Sequence, residues 1–180
     1  MPSIYLVRHA TPDWDSNLPY YIPPGPPLTA QGQQEAQELG EFLKGAGAGY
    51  FYSSPLERCA STAKIAASIA EAPFEVRNGL KEVQPGESKS SMQDRLWPIF
   101  ELAVQTSSER GPVVMVTHGA PVMVLLGQLG MDKSTIKSHL VYDHRNPAPP
   151  AGAWLAEQPG TGQPWNLRLA FMPEAVKTLI

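Results

Sequence analysis

The chain has 180 residues, of which 42% are hydrophobic and 17% charged, a size expected of one domain that buries its own core. Its 14 basic and 17 acidic side chains give a formal net charge of -3, which disfavours nucleic acid as a partner. A single cysteine cannot form an internal disulfide, and Tyr5, Arg8 and His9 interrupt the first apolar segment before it is long enough for a signal sequence or a membrane span. We therefore expect one cytoplasmic domain over residues 1–180, with no nucleic-acid or membrane partner and no particular oligomeric state indicated.

The first predicted elements are a strand and a helix. An apolar run over Ser3–Val7 predicts a buried strand that ends at Arg8. A proline-rich segment follows, after which Thr29 has the residue type and position of a helix N-cap. The helix is predicted from apolar residues at helical spacing, which are Ala36, Leu39 and Leu43. It should end at the glycines that follow, Gly45, Gly47 and Gly49.

A second strand and a second helix are predicted next. Tyr50–Tyr52 predicts a short aromatic strand, and the residues after it have the order of a helix start. In that arrangement Ser54 is the N-cap, Pro55 takes the first helical position and Glu57 completes a capping box. A further short strand is predicted at Phe74–Val76.

The second half of the chain continues the alternation. A helix is predicted over Met92–Val104, and Pro98 should kink it or begin its second half. Pro112–Val116 predicts a buried strand followed by an apolar helix, and the chain then has two strand-length segments joined by a turn, Ala153–Glu157 and Asn166–Met172. Strands that alternate with helices predict an α/β layer fold with a largely parallel sheet.

Three of the predicted strands end in polar residues. The carboxyl ends of parallel strands and the N-termini of the helices that follow them line one crevice, so these residues should converge. Guanidinium groups and helix N-terminal amides bind phosphate or carboxylate, which predicts an anion site. The residues concerned are Arg8-His9, then Ser53-Ser54 with Arg58 in the next helix, and Thr117-His118-Gly119.

Nucleotide and metal sites have weaker support. The chain has no phosphate loop ending in Gly-Lys-Ser/Thr and no G-x-G-x-x-G motif after a strand. His9 and His118 have no second metal ligand at helical spacing, and Cys59 is better explained as a small core residue. Neighbouring arginines would repel a divalent cation. We therefore predict neither a metal nor a cofactor.

Five ordered motifs resemble those of the histidine phosphatase superfamily, in its phosphoglycerate-mutase-like branch. The resemblance extends over essentially the full chain and implies a three-layer α/β/α sandwich around a mostly parallel mixed sheet. An Arg-His pair alone would be weak support, but five motifs in the family's order are specific. The motifs are Leu6-Val7-Arg8-His9-Ala10-Thr11, Leu28-Thr29 with Gly32 and Ala36, Tyr52-Ser53-Ser54-Pro55-Leu56-Glu57-Arg58 with Thr62-Ala63, Leu80-Lys81-Glu82, and Val116-Thr117-His118-Gly119.

The resemblance implies roles for individual residues. His9 would be the nucleophile that forms a phosphohistidine, and Glu82 the acid that protonates the leaving oxygen and later activates water. To attack, His9 needs one neutral ring nitrogen, so its other nitrogen should donate to a backbone carbonyl. The implied phosphate-binding residues are Arg8, Arg58 and His118, with the amide of Gly119 as a further donor.

Several assignments stay open at this point. Glu87 lies in a turn close to Glu82, and either carboxylate is a candidate acid. Asp15 is a possible substrate contact, although a carboxylate where the family often has a phosphate-binding asparagine would repel a dianion. The polar cluster around Asp143 is more simply explained as loop surface, with Arg145 as a possible substrate contact.

The implied activity also has alternatives. We expect a metal-independent phosphomonoesterase acting on a small phosphorylated substrate. A cofactor-dependent phosphoglycerate mutase is less favoured, because the long insertion typical of the glycolytic mutases is missing. The third alternative is a sensor that binds phosphorylated ligands without turnover.

Proline is the unusual component of the composition, with 19 residues. Pro19–Pro27 joins the nucleophile strand to the first helix, and Pro147–Pro164 follows the polar cluster. We expect both segments to form stiff walls around the mouth of the active site, because proline restricts the backbone without regular hydrogen bonding.

Overall fold

The computed structural model describes residues 1–177, so residues 178–180 of the predicted domain lie outside the description. The strands are β1 (Ser3–Arg8), β2 (Tyr50–Ser53), β3 (Phe74–Val76), β4 (Val113–Thr117), β5 (Ala153–Glu157) and β6 (Asn166–Phe171). The helices are α1 (Ala30–Gly45), α2 (Glu57–Ala70), α3 (Lys89–Arg110), α4 (Gly119–Gln128), α5 (Lys133–Ser138) and α6 (Glu174–Lys177), with short 3₁₀ turns at Trp14–Ser16, Asn78–Leu80 and Asp143–Arg145.

The strands form one six-stranded sheet in the order β3-β2-β4-β1-β5-β6. β3, β2, β4 and β1 are parallel, whereas β5 and β6 are antiparallel additions next to β1. The predicted mostly parallel mixed sheet is therefore confirmed, including the antiparallel pair near the end of the chain.

Helices cover both faces of the sheet. In β1, Ile4 and Leu6 pack with the buried faces of α3 and α4, whereas Tyr5 and Val7 pack with those of α1 and α2. Alternate side chains of a strand point to opposite faces, so a strand buried on both sides is apolar throughout. The predicted three-layer α/β/α sandwich is confirmed.

The two predicted helix caps have different outcomes. The Thr29 hydroxyl accepts from the Gly32 amide at 3.0 Å, which confirms the N-cap of α1. The prediction that Ser54 caps α2 is wrong, because Leu56 holds the cap position and makes no side-chain cap bond. The Ser54 hydroxyl accepts from the Leu56 amide at 3.3 Å and also lies 2.9 Å from Nε2 of His118, so it joins the segment before α2 to the end of β4.

The third helix is longer than predicted. α3 runs from Lys89 to Arg110 with Pro98 inside it, so Pro98 does not mark a helix start. Its N-cap is Ser88, whose hydroxyl accepts from the amide of Ser91 at 3.0 Å. Within residues 1–177, the structure contains no helix with the length and apolar character needed to cross a membrane.

The proline segments only partly occupy the predicted position. Pro24 accepts from the amide of Glu57 at the start of α2, and Ala148 accepts from Arg8. Pro159 and Pro164 do not lie near the site. They follow Glu157, the last residue of β5, and because β5 runs antiparallel to β1, Glu157 lies opposite Ser3 at the start of β1. The turn that holds these two prolines is therefore at the end of the sheet remote from His9, and the prediction is wrong for them.

Candidate active site

The polar residues at the strand ends converge as predicted. β4 is the central strand of the three, with Val116 opposite both Val7 of β1 and Ser53 of β2. The residues that follow these positions therefore emerge side by side at one edge of the sheet. The resulting cluster is closed to solvent: Arg8 is 2% exposed, His9, Arg58 and His118 are 0% exposed, and Glu82 is 6% exposed.

His9 is held with one ring nitrogen free. Its amide donates to Thr117 O at 2.9 Å, and its Nδ1 lies 2.8 Å from Ala10 O, so Nδ1 carries the proton and donates. Nε2 is buried and has no hydrogen-bond partner among residues 1–177. Burial first, and then the charges of Arg58 and Arg8, lower the pKa of His9 well below its usual range. His9 therefore presents a neutral ring with an unshared electron pair on Nε2.

The two arginines share a pattern of used and unused donors. Arg58 donates from Nη1 to Tyr20 O at 2.8 Å and from Nη2 to His118 Nδ1 at 3.1 Å. Arg8 donates from Nη1 to Ala148 O at 3.0 Å and also binds Asp143. The Nε–H of each arginine is buried without a partner in the described part of the chain. Buried donors of this kind are costly unless a ligand satisfies them, and an anion supplies the acceptors.

His118 is fixed by its neighbours. Because Arg58 can only donate, Nδ1 of His118 accepts, and the ring proton is on Nε2, which donates to Ser54 Oγ at 2.9 Å. Burial first, followed by the interactions with His9 and Arg58, lowers the pKa of His118 well below its usual range. The neighbouring Cys59 donates to Thr117 O at 3.3 Å and has a pKa raised by burial, consistent with the predicted core thiol.

Glu82 joins this cluster and Glu87 does not. One Glu82 oxygen accepts from the Val83 amide at 2.9 Å, and the other accepts from the Tyr20 hydroxyl at 3.1 Å and lies 3.6 Å from His118 Nδ1. Burial outweighs these hydrogen bonds and raises the pKa of Glu82. Glu87 is paired with Arg95, which lowers the pKa of Glu87.

Arg95 also supports the segment that carries Glu82. Its Nη1 donates to Gly79 O at 2.6 Å and to Lys81 O at 2.8 Å, and its Nη2 donates to Glu82 O at 3.2 Å. On the other side of this segment, the Thr117 hydroxyl donates to Leu80 O at 2.7 Å. Sequence patterns did not indicate these contacts, which fix the Glu82 backbone against the end of β4.

Gly119, Asp15 and Arg145 have different places. Gly119 is the buried first residue of α4, and a Cβ there would lie 1.3 Å from Asn146 Oδ1, so any larger residue would displace the Asn146 side chain. Asp15 and Arg145 are exposed, and within residues 1–177 neither side chain forms a hydrogen bond or ion pair with the cluster. Their predicted substrate contacts stay predictions.

Two site residues escaped the sequence analysis, Tyr20 and Asp143. The Tyr20 ring lies 3.9 Å from the Arg58 guanidinium carbon and stacks on Trp14, with ring centroids 4.9 Å apart. Tyr20 therefore covers both Arg58 and Glu82. The carboxylate of Asp143 binds Arg8 at 2.6 and 2.7 Å. The only signals were that Tyr20 lies in a proline-rich segment and Asp143 in a polar cluster.

Comparison with known proteins shows what the chain is similar to. Residues 4–87 match the sequence model of the histidine phosphatase superfamily, branch 1. The chain is 26% identical over 163 residues to the uncharacterized phosphatase PhoE of Bacillus subtilis (strain 168), covering 78% of this chain and 84% of that protein. It is 27% identical over 139 residues to a Salmonella paratyphi A protein named probable phosphoglycerate mutase GpmB, covering 77% of this chain and 60% of that protein. Over residues 4–87, just under half of its length, the chain is therefore similar to the histidine phosphatase superfamily.

Solved structures agree on the fold. A mycobacterial glucosyl-3-phosphoglycerate phosphatase superimposes with a TM-score of 0.76 at 18% identity, covering 94% of this chain and 98% of that chain. A phosphoserine phosphatase from Entamoeba histolytica, in complex with 3-phosphoglyceric acid, gives a TM-score of 0.73 at 18% identity, covering 97% and 98%. These similarities establish a phosphoglycerate-mutase-like α/β fold.

Proposed function

We propose that the protein is a metal-independent phosphomonoester hydrolase that works through a phosphohistidine on His9. The observation that carries this proposal is a set of three buried nitrogens without partners among residues 1–177: Nε2 of His9 and the Nε–H groups of Arg8 and Arg58. A phosphoryl group has the acceptors that the two Nε–H donors lack and the electrophilic phosphorus that the His9 lone pair needs. No group of three or more His, Cys, Asp or Glu side chains among the described residues is arranged to hold a metal ion.

In the first step, Nε2 of His9 attacks phosphorus and the bond from phosphorus to the ester oxygen breaks. The leaving oxygen takes a proton from Glu82, whose raised pKa favours the protonated form that this step requires. Arg8 and Arg58 neutralise the charge that spreads over the phosphoryl oxygens. In this state His118 donates from Nε2 to a phosphoryl oxygen in place of Ser54, and the Gly119 amide is a further donor.

In the second step, water attacks the phosphohistidine. Glu82, now a carboxylate, takes a proton from that water, and the bond from phosphorus to Nε2 breaks to release phosphate. The Nδ1–H bond to Ala10 holds the ring in one tautomer throughout, so the free Nε2 is restored.

Mutase-type transfer is the second candidate, and the closure of the site favours it. His9 is 0% exposed, and a mutase needs to keep its phosphohistidine away from water. Interconversion of 3- and 2-phosphoglycerate, assayed with and without a bisphosphoglycerate primer, separates a mutase from a hydrolase.

The central test is His9→Ala assayed on p-nitrophenyl phosphate with and without EDTA. We expect the wild type to hydrolyse the ester equally in both conditions and the variant to lose at least about a thousandfold in rate, as is usual when a covalent nucleophile is removed. An acid-labile, alkali-stable phosphoenzyme should form in the wild type only.

Circular dichroism and thermal melting control for folding of the variant. Full activity of a folded His9→Ala protein contradicts the mechanism, and phosphate binding without turnover in the wild type supports a sensor.

A further inference from the structure

The contact between Arg8 and Asp143 leaves a specific part of the guanidinium free. Arginine has five N–H donors. Nη1 of Arg8 donates to Asp143 Oδ1 at 2.6 Å and to Ala148 O at 3.0 Å, and Nη2 donates to Asp143 Oδ2 at 2.7 Å. The Nε–H and the second Nη2–H remain, and they lie along one edge of the planar group. Nε is buried without a partner in residues 1–177.

We propose that Asp143 is a positioning residue, which holds the Nη1–Nη2 end of Arg8 so that its Nε–Nη2 edge faces the phosphoryl group on His9. This inference rests on the proposed phosphoryl-transfer function and deepens it. Arg8 uses two different edges, one for the protein carboxylate and one for the ligand. Asp143 therefore stays in place when phosphate binds.

The burial of the two partners supports this division. The Arg8 side chain is 2% exposed, whereas that of Asp143 is 42% exposed at the rim of the site. A buried guanidinium with several rotatable bonds needs a fixed partner to hold one orientation, and a two-point contact with a carboxylate supplies it. Burial acts to raise the pKa of Asp143, but the hydrogen bonds and charge of Arg8 outweigh it and lower that pKa.

The loop around Asp143 is itself fixed to the catalytic edge of the sheet. The Asn146 side chain donates to Asp143 O at 2.8 Å and occupies the space left by the missing side chain of Gly119. His144 and Arg145 both have left-handed backbone conformations, with φ of 53° and 57°. Non-glycine residues seldom adopt this region, so two in succession indicate a loop conformation held by its contacts.

A competing interpretation is that Asp143 imitates the substrate. In that case its carboxylate would occupy the place of phosphate and would have to leave before the ligand binds. The two interpretations predict opposite changes in phosphate affinity when the carboxylate is removed, so the same variants decide between them.

The test uses Asp143→Asn and Asp143→Ala, with Asp94→Asn as a matched control at an exposed position of α3. Binding of inorganic phosphate and of vanadate is measured by calorimetry, which needs no turnover, and kcat and KM are measured on p-nitrophenyl phosphate. We expect phosphate to bind about tenfold more weakly to Asp143→Ala and less so to Asp143→Asn, because the amide keeps one acceptor. Vanadate affinity and kcat should fall further than phosphate affinity, since Arg8 acts most strongly in the transition state. Melting temperatures should fall below that of the control, because Arg8 loses its carboxylate partner, but the variants should stay folded at the assay temperature.

Each outcome has one meaning. Tighter phosphate binding by the Asp143 variants overturns the positioning role and supports the interpretation that Asp143 occupies the place of phosphate. Phosphate binding equal to that of Asp94→Asn overturns both interpretations. Loss of binding that only parallels loss of the folded state, seen by circular dichroism, also overturns the positioning role. A wild type that binds phosphate but does not hydrolyse esters contradicts the proposed hydrolase, while the binding series still decides the part played by Asp143.

Discussion

Nη2 of Arg58 donates to Nδ1 of His118 at 3.1 Å, and this bond sets the tautomer of the histidine. Burial first, and then the interactions with His9 and Arg58, lower the pKa of the His118 ring. An arginine beside a buried imidazole opposes protonation of the ring, because it would place two positive charges next to each other away from water. The same guanidinium also helps to keep His9 neutral. The residue expected to bind phosphate therefore also prepares the nucleophile, which must be unprotonated to attack.

These two neutral histidines predict an acid-sensitive fold. Both have pKa values well below the usual 6.5 in the folded state. Below about pH 6.5 the unfolded chain binds protons that the folded chain excludes, so the free energy of unfolding falls as pH falls, by about 1.4 kcal/mol per pH unit for each histidine. Glu82 has the opposite sign, because its raised pKa lets the folded state keep a proton above pH 4.5 that the unfolded chain has lost.

Urea unfolding between pH 5 and pH 7 measures this dependence. The variant His9→Gln removes one of the two buried imidazoles and should flatten the slope below about pH 6.5 by about 1.4 kcal/mol per pH unit. A slope that does not change on this substitution would show that His9 takes up a proton as readily in the folded protein as in the unfolded chain.

The hydroxyl of Tyr20 provides a second prediction, on the pH dependence of catalysis. Burial raises the pKa of Glu82, whereas the hydrogen bond from Tyr20 lowers it. Tyr20→Phe should therefore raise that pKa further, by about half to one unit if the bond contributes about 1 kcal/mol. Because Glu82 acts as an acid in the first step, the alkaline limb of kcat/KM should move to higher pH.

An alkyl phosphate is the suitable substrate for this measurement, since a poor leaving group depends most on the proton from Glu82. Tyr21→Phe is the matched control, because Tyr21 is the adjacent tyrosine and is 40% exposed. A shift of the alkaline limb to lower pH in Tyr20→Phe, or an equal shift in both variants, would argue against Glu82 as the acid.

The sequence was informative wherever a site residue follows a regular element. Arg8 is the last residue of a buried strand, His9 and His118 come directly after buried strands, and Arg58 lies in the first turn of a helix, so periodicity and strand-end geometry located all four. Glu82 follows a 3₁₀ turn that no pattern marks, and only the family resemblance indicated it.

Tyr20 and Asp143 could not be predicted in the same way. Their partners are 62 and 135 residues away in the chain, and both lie in loops without periodicity. Ser54 shows the converse limit, since a sound local capping pattern placed the cap two residues too early, and the Ser54 hydroxyl binds both the Leu56 amide and the ring of His118, 64 residues away. Long-range polar contacts of this kind depend on the tertiary arrangement rather than on local propensity.

The approach of Asn146 to Gly119 gives the third prediction. In Gly119→Ala the new Cβ would lie 1.3 Å from Asn146 Oδ1, so the Asn146 side chain must leave its place. Its bond to Asp143 O would then be lost, and we expect both a lower melting temperature and a drop in kcat/KM of about tenfold or more. Gly127→Ala in the same helix is the control, because its Cβ would lie 3.6 Å from Ile136 Cδ1, an ordinary van der Waals distance, and alanine favours helix over glycine by about 1 kcal/mol. The double variant Gly119→Ala with Asn146→Ala relieves the clash but does not restore the hydrogen bond to Asp143 O. It should therefore regain stability without regaining activity. Recovery of full activity in that double variant would show that Asn146 has no part in holding Asp143 against Arg8.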